Sequence, residues 1–156
     1  MINYTFLFLS MAAVLLLFSI CIYLRKPTLA NILVGLVSIA YSLIFDISFG
    51  HQWGLFYYIS PAMSTFYMVL AAVTVYAPLN IIYTMFLPEK NAPVIVYTGF
   101  WIIGMAIFEY ASIMSRTIVF TGWRPIPWSG VVYIVAYLWI FFFYRYLEIK
   151  IPGRMV

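Results

Sequence analysis

Five apolar runs, each about as long as a bilayer core is thick, leave this chain one class of fold. They cover residues 4–24, 29–49, about 61–86, 94–115 and 128–147. A helix needs about 20 apolar residues to cross a hydrocarbon core about 30 Å thick. Inside that core every backbone amide must be bonded within the protein. The runs predict an all-α integral membrane protein, a bundle of five transmembrane helices that makes a single transmembrane domain of residues 1–156. Charged residues are 8% of the chain and the mean hydropathy is +1.07, against about 25% charged in ordinary soluble domains. So little charge cannot cover a water-facing surface, and the lipid bilayer is the first partner expected.

The other compositional signals exclude more than they assign. The eight Lys and Arg are scattered at the edges of the runs, with no basic stripe, which argues against nucleic-acid binding. Cys21 is the only cysteine, so no intramolecular disulfide or thiolate metal site is expected; inside the first run it reads as a small apolar filler. That run lacks a basic leader and a small-residue cleavage site, and Arg25-Lys26 follow it directly. It is expected to be a retained helix rather than a signal peptide.

Boundaries follow from local chemistry. Pro27 stops one helix and Thr28 is placed to cap the next. Leu55 to Ile59 is an aromatic segment expected to lie along the membrane interface. Pro61 suits the first position of the third helix. Pro78 falls inside that helix and is expected to kink it, with Asn80 repairing the freed backbone. Orientation comes from basic residues in short loops. One side holds Arg25, Lys26, Lys90, Arg145, Lys150 and Arg154, the other Arg116 and Arg124. The first side is expected to be cytoplasmic, which puts the N-terminus outside and the C-terminus inside a cell (cytoplasmic) membrane.

The second run carries Asn31, Gly35, Ser38, Ser42 and Asp46 at steps of three and four, which places them on one helix face. A small and polar face inside a membrane is first a packing face; the sharper reading is a polar track leading to Asp46. Tyr133, Tyr137 and Tyr144 share a face of the fifth run, with Ile140 between them, and their hydroxyls are able to satisfy a buried carboxyl.

Glu109 is the most costly residue in the chain. A carboxylate at membrane depth costs about 2.5–3.5 kcal/mol on insertion scales unless protein or water receives it. Asp46 sits about 5 Å and Glu109 about 9 Å below the same end of their helices, by the helical rise. His51, Arg116, Trp123 and Arg124 fall in the loops at that end. The expected arrangement is one outward-facing polar cluster of Asp46, His51, Glu109, Arg116, Trp123 and Arg124. Its leading reading is a buried lock, with Asp46 and Glu109 bridged by a donor and Glu109 paired with Arg116. A small-ligand pocket comes second and acid/base catalysis third. No protease, hydrolase, phosphate-loop or dinucleotide motif is present, and no catalytic residue, metal site or cofactor is expected.

The landmarks also resemble a family of small multi-pass membrane proteins found chiefly in Gram-positive, spore-forming bacteria. They are the basic-Pro turn after helix one, Asp46 near the end of helix two, Leu79-Asn80 before Leu87-Pro88, Glu109 in helix four and Gly122-Trp123 after it. The resemblance spans nearly the whole chain. It implies a bacterial cytoplasmic membrane, assigns no activity, and singles out Asp46, Asn80, Glu109 and Trp123. The leading functional reading is an interaction or accessory subunit, acting with a larger membrane partner or as a homo-oligomer. The alternatives are a small oligomeric transporter or channel, with the Asn31–Asp46 face lining its path, and a membrane enzyme using Asp46 and Glu109.

Overall fold

The computed structural model describes residues 2–89 and 91–151, without the side chains of residues 2, 3, 91 and 92. Lys90 and Arg154, two of the basic residues used for orientation, lie outside the described residues. The fold is helical. Five helices are long and apolar enough to cross a membrane: Tyr4–Leu24, Leu29–Gln52, Pro61–Met85, Pro93–Met114 and Pro125–Lys150. Large apolar side chains cover the outside, Leu9, Leu16, Ile95 and Ile107 among them.

Helix α1 (Ile2–Leu24) and α2 (Leu29–Phe45) are separated by the basic-Pro turn. Thr28 caps α2 through a reciprocal box with Asn31, whose Oδ1 accepts from the Thr28 amide at 2.7 Å. This satisfies donors that a helix start otherwise leaves free. Beyond Phe45 the helix widens to π geometry over Asp46–Gln52. The third span is a composite: a 3₁₀ turn Pro61–Met63, α3 (Ser64–Ala71), a π turn Ala72–Tyr76 and α4 (Ala77–Met85). Helix α5 covers Asn91–Met114 and α6 covers Pro125–Lys150.

The structure adds detail to the sequence reading at two places in and before this composite region. The helical irregularity lies one turn before Pro78, which sits in the first turn of α4. Proline cannot donate to the carbonyl of Thr74, and the ladder instead closes through a longer bond from the Ala77 amide to the Ala72 carbonyl. The Leu55–Ile59 segment is held by strand pairing. Strand β1 (Phe56–Tyr58) pairs antiparallel with β2 (Ile118–Phe120), Phe56 facing Phe120 and Tyr58 facing Ile118. The pair ties the loop after α2 to the loop after α5.

The molecule therefore has two unlike ends. At the basic end, Asn31 Nδ2 donates to Thr84 Oγ1 at 3.1 Å, and Arg145 donates to the Pro88 carbonyl at 2.9 Å and pairs with Glu148 at 2.9 Å. A cluster of Tyr83, Met105, Tyr137 and Tyr144 fills the interior above them. Gly35 lets α2 approach α4 closely: a Cβ there would stand 2.5 Å from Ile81 Cδ1. At the strand end, Phe56, Tyr58, Tyr67 and Met68 form a second core under the two strands.

Candidate functional site

Asp46 is the first residue of the π segment of α2 and is buried. Its Oδ2 accepts a long bond, 3.4 Å, from the Tyr58 hydroxyl on β1. That hydroxyl lies 2.8 Å from the hydroxyl of Tyr76, the last residue of the other π turn. With Tyr58 donating to the carboxylate, Tyr76 donates to Tyr58. Burial first, then the neighbouring Asp46 carboxylate, push the Tyr58 hydroxyl well above its ordinary range, so it stays a proton donor at neutral pH.

Glu109, on the face of α5 turned toward α6, is also buried. Ser129 Oγ donates to its Oε1 at 2.6 Å and the Tyr133 hydroxyl to its Oε2 at 2.5 Å. Ser129 in turn accepts from Trp123 Nε1 at 3.0 Å. Ser129 and Tyr133 are four residues apart, so one face of α6 presents both donors. Trp123 is held from two directions. The Leu55 carbonyl accepts backbone amides from Thr121, Gly122 and Trp123 at 2.9, 3.0 and 3.1 Å. The indole ring meets Phe45, Phe49 and Phe56 edge-on.

Both carboxyls line one partly open cavity of about 130 Å³. Its polar wall continues one helical turn along α2 and α6, from Ser42 to Ser38 and from Tyr133 to Tyr137. Ser38 Oγ and the Tyr137 hydroxyl are buried, at 3% and 2% exposure, and neither has a hydrogen-bond partner among the described residues. Asn80 also lines the cavity rather than repairing backbone; near the π turn it is Thr74 Oγ1 that bonds a helix carbonyl, Leu70 O, at 2.6 Å.

The expected cluster is thus assembled in part. Asp46, Glu109 and Trp123 meet at the cavity, while His51, Arg116 and Arg124 are exposed and outside its lining. Neutral donors serve Glu109 in place of the expected Arg116 pair. Arg116 has another task. Helix α5 ends in a Schellman turn, with the Thr117 amide on Ser112 O and the Arg116 amide on Ile113 O, both at 2.9 Å. Arg116 occupies the left-handed position of that turn, at φ 59°, where the chain has already left the helical face. Among the described residues the ion pair Arg145–Glu148 lies at the far end.

Of the packing face, Asn31 and Gly35 are buried against α4, whereas Ser38, Ser42 and Asp46 line the cavity. A track along this face of one copy would have to pass the Gly35–Ile81 contact. Among the described residues no three His, Cys, Asp or Glu side chains come together as a metal-binding group. Tyr58, Tyr76 and Ser129 belong to the site but carry no sequence signal that points to it, apart from the four-residue step from Ser129 to Tyr133. No family model, curated protein or solved structure matches this chain.

Proposed function

We propose that this chain is a multi-pass protein of a bacterial cytoplasmic membrane that binds a small ligand in the Asp46–Glu109 cavity, as a binding or accessory subunit. The observation that carries the reading is one partly open cavity with two buried carboxyls, Asp46 and Glu109, in its wall. A carboxyl in an apolar helix is costly unless protein or a partner receives it. A purely structural interior would be better served by apolar residues at both positions, whereas a ligand with a polar group would make use of them. A cavity near 150 Å³ accepts a molecule of about the size of benzene, and this one is similar.

Five apolar helices and an apolar exterior support the membrane assignment. The collection of Arg25, Lys26, Arg145 and Lys150 at one end supports a cytoplasmic basic end and an outward strand end. The sequence resemblance to membrane proteins of spore-forming bacteria agrees with that placement. A reporter fused after Val156 should then read as cytoplasmic, and a cysteine at Thr121 should react with an impermeant reagent from outside. Labelling of Thr121→Cys only from the cytoplasm would reverse the orientation.

The ligand reading is tested by filling the cavity. Ala136 lines it, and Ala136→Phe places a ring in the space. A thermal-shift screen of benzene-sized compounds in detergent should find compounds that raise the melting midpoint of the wild type and leave the filled variant unmoved. Compounds that move both proteins alike, or move neither, would sink the reading.

A further inference from the structure

The lining also constrains the charge of what it receives. Among the described residues, Asp46 and Glu109 enter the cavity with hydroxyl donors only, and no Lys, Arg or His lines it. An anionic ligand would face two carboxyls with nothing to offset its charge. A cation would meet carboxylate oxygens and, on the remaining walls, the rings of Tyr41, Phe45, Phe56, Phe120 and Trp123. Aromatic faces attract organic ammonium groups through the negative face of the ring. A bare metal ion would need several oxygens around it to replace its water, which aromatic walls do not supply.

We propose that the cavity takes a small organic ammonium ion. The nitrogen sits at the Asp46–Glu109 level. The apolar body of the ligand lies against the rings of the wall. This inference rests on the reading of the cavity as a ligand site.

Three probes of one shape separate the two claims. Benzylamine, benzyl alcohol and benzoate carry positive, zero and negative charge at neutral pH on the same ring. With purified wild-type protein in detergent, benzylamine should bind at least ten times more tightly than benzyl alcohol, and benzoate should not bind. The Asp46→Asn/Glu109→Gln double variant should lose the tenfold preference and keep its affinity for benzyl alcohol. Benzyl alcohol binding as well as benzylamine would overturn the ammonium assignment and leave the ligand site standing. Silence from all three probes, with other compounds still distinguishing wild type from Ala136→Phe, would overturn it too. The comparison on wild-type protein needs no variant to fold.

Discussion

At the basic end of the molecule the buried polar groups on α2 and α4 are answered by the protein. Asn31 both caps α2 and reaches Thr84, and Thr84 bonds back to the carbonyls of its own helix. At the strand end the carboxyls are answered by long-armed donors from other elements, and the wall between the two ends holds hydroxyls with no partner. The same α2 face runs through both regions, so the difference lies in what packs against it. Helix α4 approaches at Gly35 and closes the basic-end half, whereas Ser38, Ser42 and Asp46 face the cavity in the other. The closed half holds the fold together. The open half spends stability on polar groups that a merely structural interior has no use for.

This contrast breaks most easily at Asn31. Asn31→Leu removes a cap and the Thr84 contact, and should cost about 2–3 kcal/mol. For a chain of this size that lowers the midpoint by about 5 °C or more. A loss smaller than that of any strand-end variant would mean that the closed half is not the stabilising one. Next in size is Tyr133→Phe, which strips Glu109 Oε2 of its donor and should cost about 1–2 kcal/mol in the same melting assay. Glu109→Gln sharpens the comparison further. A buried carboxylate paired with arginine would cost about 3–5 kcal/mol to neutralise. With serine and tyrosine donors that also accept, the amide is nearly isosteric, and the loss should stay under about 1 kcal/mol. A midpoint drop of the larger size would restore a cationic partner. Smallest of all is Tyr137→Phe. Its hydroxyl bonds to nothing, so the midpoint should stay level or rise slightly, and a clear fall would show that the hydroxyl is already satisfied.

The spans were legible because length and hydropathy leave no alternative, and their ends fall within a few residues of the observed helices. Asp46 and Glu109 were legible because charge in an apolar run demands a reason. Arg116 misled for a local reason: seven residues after Glu109 it shares a face only while the helix continues, and α5 stops at Met114. Tyr58 was out of reach because its position depends on a strand pairing across about 60 residues of chain, which no local pattern announces. Tyr76 was hidden by phase. Counting at three and four from Ser64 reaches Thr74 and Pro78, and the widened turn between them brings Tyr76 to the cavity instead.

That widened turn has a consequence for how the chain tolerates changes in length. A π turn is what a helix looks like when it carries one residue more than the α ladder needs. Deleting a single residue between Ala72 and Tyr76 would let the ladder close as ordinary α-helix. The two flanks would keep their phase, because the widened turn is what absorbs the extra residue. Keeping every residue while closing the turn as plain α-helix would instead rotate one flank by about 100° against the other and carry the Tyr76 hydroxyl away from Tyr58. Relatives of this chain that are one residue shorter in this stretch would keep both carboxyls and the same cavity. For this protein the widened shape of residues 72–76 is as much a part of the site as Asp46 or Glu109.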